Sequence, residues 1–401
     1  MTPGPAALRA SMVQWLRGSY RTISEEVLGA FEAVPRHLFL PGVPPETAYQ
    51  DEAIVIKRDA DGQPVSSSSQ PAIMALMLDQ LGLQRGQRVL EIGAGTGYNA
   101  ALISHLVSPG GEVVSMDIDE DVVAGARENL ARAGHPDVTV VCADAVEGYP
   151  ARAPHDRIIA TVGVWDLAPA WLAQLAPGGR IVVPLDLAGT QRSVAFEAVG
   201  DGHLTSRSAL PCGFMRLRGA FAGPERTRVL DADSGLAITL PLGGDLDPQA
   251  LLAALGGPPV RRPTGVGIDP RQLLGGLGLS LAIGDPRWCV LFESTTASHG
   301  ALLSAPLRIQ DRRYTAGLHT RDSVAVFGHE EALGYGPAGE ELAAALAEGV
   351  RAWDAAGRPG ERALRIDAYP RSTSDRSSAG PAGGVILEKT HTRLALSWPD
   401  L

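Results

Sequence analysis

The alternation of short apolar runs with segments of helical periodicity between residues 88 and 184 constrains the fold more than any other feature of this sequence. Strands that alternate with helices of about 10–14 residues form βαβ units, which build a parallel sheet covered by helices on both faces. We therefore expect an α/β fold with a doubly wound, mostly parallel sheet. The expected strands are 88–92, 112–117, 138–142, 156–161 and 180–184, the expected helices are 98–107, 120–133 and 167–175, and an antiparallel pair is expected at 192–198 and 204–210.

The alternation ends near residue 220, and a chain of 401 residues is long enough for two domains. We expect a first domain at residues 1–220 and a smaller α+β C-terminal domain at residues 221–401. In the second, the sequence predicts a hairpin at 229–240 and an amphipathic helix at 339–355. Residues 371–384, rich in Ser, Gly and Pro, are expected to form a mobile loop.

Composition narrows the classes of function. The chain has 35 basic and 45 acidic residues and a net charge of −10, which argues against a general nucleic-acid-binding protein. Its three cysteines, at positions 142, 212 and 289, lack the spacing of metal ligands or of a disulfide framework, so we expect reduced thiols and no metal site. No apolar run resembles a signal peptide or a membrane span, and we expect a soluble, cytoplasmic protein.

The segment VLEIGAGTGY at residues 89–98 places three glycines at alternate positions between an expected strand and an expected helix. Such a turn lets the backbone approach a ligand closely, beside the free N–H groups of the helix N-terminus. A dinucleotide fingerprint would have the spacing G-x-G-x-x-G, but Tyr98 stands at its last position. Glu91 at the strand end also suits an amine or a sulfonium better than a pyrophosphate. A nicotinamide dinucleotide is therefore disfavoured.

Two further acids follow the next two strands. Asp117 lies 20 residues after Gly97, where it is placed to bind both hydroxyls of a ribose, and Asp144 is placed to contact an adenine edge. This layout predicts an S-adenosylmethionine site on a Rossmann-like fold, and the alternative is a turn with incidental acids. The predicted cofactor-binding residues are Glu91, Gly93, Ala94, Gly95, Gly97, Tyr98, Asp117, Ile118, Ala143, Asp144 and Ala145.

Further motifs relate residues 20–220 to a known family. They are Val34-Pro35-Arg36 with Phe39, Ala48-Tyr49 with Asp51, Ser69-Gln70-Pro71, VLEIGAGTGY, APHDRIIAT and LAPGGRIVVP. With them the chain resembles the protein-L-isoaspartate (D-aspartate) O-methyltransferases. The resemblance implies a Rossmann-like methyltransferase domain that uses S-adenosylmethionine and releases S-adenosylhomocysteine. It also implies methyl transfer to an aspartyl or isoaspartyl carboxylate of a peptide or protein partner, without a nucleic-acid or membrane partner.

The same resemblance implies the catalytic residues. In the family the serine of the SQP motif lies beside the acceptor carboxylate and the transferable methyl group, a role that maps onto Ser69. Ser67 and Ser68 depart from the usual pattern, which has a bulky aliphatic residue before this serine. The implied catalytic set is Ser69, Ser68 and Gln70, and the choice of the serine that faces the substrate stays open. Without the motif, a serine run is more typical of a flexible turn or a helix cap.

The acceptor determines what chemistry is needed. A carboxylate with a pKa near ~4 is ionised at neutral pH, so its methylation requires no general base. The contributions left to the enzyme are positioning and the exclusion of water. Esterification then creates a methoxide leaving group, and attack by the next backbone nitrogen closes a succinimide. The scattered histidines of this sequence are consistent with a reaction that uses no Ser-His-Asp set.

Three features depart from the ordinary repair enzyme. They are Trp165, Asp166 and Trp171 within TVGVWDLAPAW, the segment CGFMRLRG at 212–219, and the C-terminal half. They resemble the long variants found with ribosomally made peptide natural products, which methylate an aspartate in a constrained peptide and leave an aspartimide. This narrower resemblance implies a dedicated precursor peptide. Selection of one aspartate among many requires contacts away from the carboxylate, so we expect the C-terminal domain to recruit that peptide, with stabilisation or dimerisation of the catalytic domain as its alternative role. We expect the fragment 1–220, if soluble, to bind the cofactor but to lose most activity on the peptide.

Three other functions stay open. One is the general repair of isoaspartyl proteins. Another is methylation of small molecules, with the C-terminal half covering the pocket. The third is a peptide-binding module with a vestigial cofactor fold, against which the intact glycine turn argues.

Overall fold

The structure is a computed structural model that describes residues 3–60, 62, 64–200, 202–273, 275–295, 307–309, 312–328, 330–360, 364–371 and 384–398. Residues 372–383 of the loop expected at 371–384 lie outside this set. The helices are α1 (Pro5–Ser19), α2 (Glu25–Ala33), α3 (Pro45–Ala48), α4 (Pro71–Leu81), α5 (Tyr98–Val107), α6 (Glu120–Arg132), α7 (Pro169–Gln174), α8 (Pro248–Leu255), α9 (Gly276–Gly284) and α10 (Gly339–Ala355). Short 3-10 helices lie at Arg36–Phe39, Ala145–Glu147, Pro150–Arg152, Gly219–Phe221 and Pro270–Leu273.

The strands follow the same chain order. They are β1 (Ile54–Arg58), β2 (Pro64–Ser68), β3 (Arg88–Ile92), β4 (Glu112–Asp117), β5 (Thr139–Cys142), β6 (His155–Ala160), β7 (Leu175–Leu187), β8 (Thr190–Gly200), β9 (His203–Pro211), β10 (Arg226–Asp231), β11 (Leu236–Leu240), β12 (Val260–Pro263), β13 (Trp288–Ser294), β14 (Leu307–Ile309), β15 (Arg312–His319), β16 (Val324–Phe327), β17 (Glu331–Tyr335), β18 (Arg365–Pro370), β19 (Val385–Glu388) and β20 (Thr392–Ser397). Among the helices given above, none has the length and apolarity that crossing a membrane requires.

Local sequence signals set several of these boundaries. Helix α4 begins at Pro71, where the missing N–H of proline costs nothing, and ends at Gly82 in the left-handed conformation with φ 60°. Strand β3 and helix α5 have the predicted bounds. Strand β7 is longer than expected because it continues past Pro184 as the antiparallel partner of β8, as far as the pair Leu187 and Thr190.

The first sheet has ten strands in the order β19-β20-β18-β9-β8-β7-β6-β3-β4-β5. Strands β7, β6, β3, β4 and β5 are parallel to their neighbours in that series, which confirms the expected doubly wound α/β architecture. Strands β8 and β9 form the expected antiparallel pair. One face of the sheet packs against α2, α4 and α5 through residues such as Phe31, Leu78 and Leu102, all fully buried.

The second sheet lies later in the chain, in the order β10-β11-β13-β15-β16-β17-β12, with β14 on β15. The hairpin predicted at 229–240 forms as β10 and β11, and the predicted amphipathic helix forms as α10. Leu342, Leu346 and Val350 of α10 are fully buried against this sheet. The region after residue 221 is therefore rich in sheet, as the expected α+β class requires.

The two sheets do not divide the chain at residue 221. Strand β18 pairs with β9, through Asp367 and Thr205, and β20 and β19 follow it in the first sheet. Ile366 and Leu394 are fully buried in the core beneath β7 and β8. Strand β18 pairs there because β9 would otherwise leave a row of unpaired backbone groups at the edge of the sheet. The strands β18, β19 and β20 thus belong to the first sheet. The division into domains 1–220 and 221–401 stays a prediction, with these three strands assigned to the first sheet.

Candidate active site

A cavity of about 790 Å³ opens at the carboxyl ends of the parallel strands. Its floor contains the glycine turn after β3 (residues 93–97), the residues that follow β4 and β5, and Thr161 at the end of β6. This is the edge of an open α/β sheet at which ligands bind. All residues predicted for the site line the cavity except Glu91, Gly97 and Ala143.

The three glycines of the turn are in the left-handed region, with φ angles of 98°, 51° and 84° for Gly93, Gly95 and Gly97. A Cβ at Gly93 would lie 2.8 Å from Thr161 Oγ1, and one at Gly95 would lie 3.3 Å from the carbonyl oxygen of Ser67. A Cβ at Gly97 would instead meet Leu130 of α6 at 3.0 Å. Gly97 therefore allows α5 to pack closely against α6, and its assignment to cofactor binding stays a prediction.

Asp117 occupies the expected place at the end of β4. Its Oδ2 accepts a hydrogen bond from Gly95 N at 3.2 Å, and its Oδ1 accepts one from Asp119 N at 3.3 Å. Burial raises the pKa of this carboxyl group, against the opposing effect of these backbone hydrogen bonds. Each carboxylate oxygen has two lone pairs, so Asp117 retains acceptor capacity towards the cavity.

Asp144 and Ala145 follow β5 at the cavity edge. Asp144 Oδ1 accepts from Val146 N at 3.1 Å, and its Oδ2 accepts from Ala220 N at 3.3 Å. The indole Nε1 of Trp171 donates to Ala145 O at 2.7 Å. Ala143 does not line the cavity, because its backbone is paired with the end of β4. Trp171, which the sequence marked only as a departure from the family pattern, thus holds a predicted cofactor-binding residue in place.

Glu91 is not among the residues that line the cavity, and its assignment to the cofactor site stays a prediction. It is fully buried and directly opposite Ser115 in the β3–β4 register. Its Oε2 accepts from Ser115 Oγ at 2.5 Å, and its Oε1 accepts from Asn99 Nδ2 at 2.7 Å. Burial raises the pKa of Glu91 to about 7, although both hydrogen bonds oppose that shift.

Asn99 is the residue that Glu91 orients. Because its Nδ2 donates to Glu91, its Oδ1 is the free end of the amide. Asn99 lines the cavity, and this buried Oδ1 has no hydrogen-bond partner among the residues that the structure describes. Sequence reasoning missed Asn99. Its position, two residues after the last glycine in the first turn of α5, was the available signal.

The serine run forms most of strand β2, so it is neither a flexible turn nor a helix cap. Ser68 is only 3% exposed, and its Oγ has no hydrogen-bond partner within the described part of the chain. Ser69 lines the same cavity and is partly exposed. Gln70 Nε2 donates to Asp51 at 2.7 Å, and Asp51 also accepts from Ala72 N at 2.8 Å. The AYxD motif therefore holds the segment that follows the serines.

Arg36 of the VPR motif is fully buried beneath the serine run. Its Nε donates to Ala48 O at 2.9 Å and its Nη2 donates to Ser68 O at 3.4 Å. The guanidinium carbon lies 5.2 Å from the ring centroid of Tyr98. Motifs far apart in the sequence thus meet at one place and fix the backbone of the serine run against the glycine turn.

The opposite wall of the cavity, residues 210–218, had no predicted role in binding. The side-chain amide of Gln191 holds the backbone of Phe214, accepting from its N–H at 2.7 Å and donating to its carbonyl at 3.0 Å. Gly163 binds the same segment through Met215 O and Leu217 N, both at 2.8 Å. These contacts join residues far apart in the chain, so local sequence patterns do not predict them. The unusual composition of CGFMRLRG was the available signal for a role of this segment.

Ion pairs connect the opposite wall to the β1–β2 hairpin. Asp119 accepts from Arg218 at 2.5 Å and lies 3.1 Å from Lys57 Nζ. Lys57 also bonds Asp121 at 2.6 Å. Hydrogen bonds from Arg218, and secondarily from Lys57, lower the pKa of Asp119. Asp119, two residues after the end of β4, therefore links the β1–β2 hairpin to the opposite wall of the cavity.

Comparison with known proteins identifies the family. The family model for protein-L-isoaspartate(D-aspartate) O-methyltransferase matches residues 8–221. The chain belongs to this family. A relative of that name from Thermotoga maritima is 40% identical over 182 residues, which are 45% of this chain and 57% of the relative. One from Hyperthermus butylicus is 36% identical over 222 residues, 53% of this chain and 88% of the relative.

Membership in the family makes the chain a methyltransferase whose cofactor is S-adenosylmethionine. The residues present fit that group, because the glycine turn admits no Cβ without close contacts and Asn99, which lines the cavity, has a buried amide oxygen without a described partner. A cationic amino group and two ribose hydroxyls are donors of the kind that Asn99 Oδ1 and Asp117 can accept.

A solved structure described as a protein-L-isoaspartate O-methyltransferase aligns with 90% of this chain and 96% of its own chain, at 25% identity and a TM-score of 0.51. An alignment of that extent must continue beyond residue 221. A C-terminal extension therefore occurs in another protein of this description. It does not by itself set the chain apart from other family members, contrary to what the sequence led us to expect.

The departures around TVGVWDLAPAW anchor the C-terminal strands. The Asp166 carboxylate accepts from His391 N at 2.6 Å and from Thr392 Oγ1 at 2.5 Å, both in or beside the turn between β19 and β20. Lys389 Nζ lies 3.1 Å from the ring centroid of Trp165 and donates to Asp186 O at 2.9 Å. Burial lowers the pKa of Lys389 to about 8. The Asp186 carboxylate in turn pairs with Arg216 of the opposite wall, so the C-terminal strands support the cavity.

Proposed function

We propose that the chain methylates the carboxylate of an isoaspartyl or aspartyl residue in a peptide or protein. The observation that carries this proposal is that the serine run and the glycine turn form one cavity. The Ser67 carbonyl lies 3.3 Å from the position of a Gly95 Cβ, and Ser68 and Ser69 line the same space as Asp117. A site for the acceptor therefore adjoins the cofactor site.

The cofactor side is assigned from the acceptor groups of the floor that have capacity for a further hydrogen bond. Asp117 would receive the ribose hydroxyls, Asn99 Oδ1 would receive the ammonium group, and Asp144 with the Ala145 backbone would contact the adenine edge. Glu91 acts through Asn99, whose amide it holds in one orientation. When bound, S-adenosylmethionine supplies an electrophilic methyl group.

On the acceptor side, the reaction requires that the carboxylate be oriented and that water be excluded, more than it requires proton transfer. An aspartyl-type carboxylate is ionised at neutral pH, so its oxygen is already nucleophilic. The hydroxyl of Ser68 or Ser69 donates a hydrogen bond that orients this oxygen, and Arg36 fixes the serine backbone. The opposite wall excludes water, which strengthens the hydrogen bond and keeps the nucleophile poorly hydrated.

The product is a methyl ester. The next backbone nitrogen attacks the ester carbonyl, the C–O bond to the methoxy group breaks, and methanol leaves with the amide proton. The substrate peptide then contains a succinimide and is one water lighter than the starting peptide. This second step uses no group of the protein.

A direct test compares three peptides that differ at one position only: the isomeric isoaspartyl and aspartyl peptides, and an asparagine peptide that lacks the carboxylate. Mass spectrometry over time should show one added methyl group on the isoaspartyl or aspartyl peptide, followed by loss of methanol, and no change on the asparagine peptide. If only small carboxylic acids are methylated, the proposal of a peptide substrate is wrong.

Tailoring of a ribosomally made peptide is a narrower proposal, and it is supported less. The residues that suggested it, Trp165 and Asp166, are used in anchoring the C-terminal strands. The same mass-spectrometric time course separates the two cases. Tailoring requires faster methylation of an unmodified aspartate in a constrained peptide, whereas repair requires faster methylation of a generic isoaspartyl peptide.

A further inference from the structure

The two outer edges of the second sheet differ in how their arginines are partnered. At the β12 edge, Arg261 pairs with Glu331 and Arg262 pairs with Glu340. The strand ends at Pro263, which has no N–H to offer to another strand. Paired charges and a terminal proline are features that protect an edge from further pairing.

The β10 edge has neither feature. Its residues from Arg226 to Val229 are all exposed, and no strand in the described part of the chain pairs with its outer side. Arg226 donates to the backbone carbonyl of Glu225, and Arg228 donates to that of Thr227. Neither arginine has a carboxylate partner among the described residues. Two positive charges two residues apart therefore lie on one face of an open strand.

This edge begins beside the cavity. Glu225, one residue before β10, accepts a hydrogen bond from Arg216 Nε at 2.6 Å. Arg216 belongs to the opposite wall and lines the cavity. Six residues of strand extend about 20 Å at ~3.3 Å per residue, so β10, which begins one residue after this contact with the cavity wall, has the length of a short peptide.

We propose that β10 binds the segment of the peptide substrate adjacent to its acceptor residue, as an added β-strand with acidic side chains at alternate positions. This inference rests on the proposed function. Backbone hydrogen bonds to the open edge hold the peptide in an extended conformation, as in other cases of strand addition. Acidic side chains two residues apart face Arg226 and Arg228 at the spacing of cross-strand neighbours.

The test uses two isoaspartyl peptides that differ only in their flanks, with either glutamate or glutamine at alternate positions. The variant is Arg226→Gln/Arg228→Gln, and its matched control at the other edge is Arg261→Gln/Arg262→Gln. We expect the β10 variant to raise KM for the acidic peptide about three- to tenfold, the scale of two exposed ion pairs, with kcat unchanged. KM for the neutral peptide should stay within twofold, and the control variant should behave as wild type.

A second peptide series tests the backbone contribution. N-methylation of alternate flanking amides removes donors on one side of the added strand, so one of the two methylated registers should raise KM and the other should not. Equal KM values for the acidic and neutral peptides in wild type, or equal effects of the two double variants, would overturn the proposal. If wild type methylates neither peptide, the proposed function itself fails, which is a different outcome.

Discussion

The two sides of the cavity differ in how their residues are brought together. The floor, from Gly93 to Asn99 with Asp117 and Asp144, consists of strand ends that any parallel sheet places at one edge. The opposite wall at 210–218 is held by Gln191, Gly163 and ion pairs to distant segments. A short motif therefore predicts most of the floor, although not Asn99, whereas the wall depends on contacts between residues far apart in the chain.

The largest expected effect concerns the fragment 1–220. Removing residues 221–401 uncovers the β9 edge and deletes Ile366, Leu394 and Leu396, which are fully buried in the first sheet's core. Each such side chain contributes about 1.5–3 kcal/mol, so their sum is comparable with a typical net stability of ~5–15 kcal/mol. We expect the fragment to lack a cooperative thermal transition and to bind no S-adenosylhomocysteine in calorimetry, unlike what the sequence suggested.

If the fragment 1–220 is insoluble, two point variants of the full chain test whether the C-terminal strands belong to the core of the first sheet. Leu394→Ala should lower the free energy of unfolding by about 2–5 kcal/mol, because it leaves a cavity in the core. Val229→Ala, at a position that is 62% exposed, should change it by less than about 0.5 kcal/mol. Equal effects of the two variants would mean that the C-terminal strands are not part of the core.

The second prediction concerns Asp166, which connects the C-terminal strands to the cavity side of the first sheet. Asp166→Ala leaves Leu167 N, His391 N and Thr392 Oγ1 without their acceptor. We expect the free energy of unfolding to fall by about 2–4 kcal/mol in urea titrations. Asp166→Asn keeps one acceptor oxygen and should cost less. If both variants unfold as wild type does, this connection contributes nothing to stability.

The third prediction concerns pH. Burial raises the pKa of Glu91 to about 7 in the folded protein, whereas an unfolded glutamate titrates near ~4.3. The folded state then binds more protons than the unfolded state between these values, so Glu91 makes stability fall as pH rises through that window and adds its full stabilisation below it. Glu91→Gln should flatten this part of the profile of unfolding free energy against pH. An unchanged profile would show that Glu91 is ionised throughout.

The contrast between the floor and the opposite wall also explains which parts of the fold and of the site the sequence predicts. The bounds of β3 and α5, the parallel order around them and the strand-end acids follow from local periodicity and from topology rules that hold for any βαβ series. The pairing of β18 with β9 does not, because the apolar pattern of a strand does not specify which edge it joins. The surroundings of Glu91 were not predictable for a related reason. Its position at a strand end predicted proximity to the ligand, whereas its hydrogen bonds come from Ser115 on the neighbouring strand and from Asn99 of α5, contacts that depend on register and packing.

The fourth prediction tests the floor itself. Asp117→Ala should weaken binding of S-adenosylhomocysteine by about 1.5–3 kcal/mol, the scale of lost charge-assisted hydrogen bonds. Asp121→Ala is the matched control, because it removes an acid in the first turn of α6 whose exposed side chain pairs with Lys57. Isothermal titration calorimetry measures both. An affinity within twofold of wild type for Asp117→Ala would remove its assignment to the ribose.

The smallest expected effect is on kcat, and it distinguishes Ser68 from Ser69. It tests whether the sequence motif or the geometry better identifies the serine that contacts the acceptor. The motif assigns the acceptor contact to Ser69, whereas the buried Oγ without a described partner belongs to Ser68. Deleting the hydroxyl that orients the carboxylate should lower kcat about tenfold, equivalent to about 1.4 kcal/mol, with the affinity for S-adenosylhomocysteine unchanged. Ser66→Ala serves as the control on the same strand. A loss confined to Ser69→Ala supports the motif, and a loss confined to Ser68→Ala shows that the register of β2 has moved the role by one residue. If neither variant changes kcat, positioning in this enzyme depends on the opposite wall, and the serine run only forms the side of the cavity.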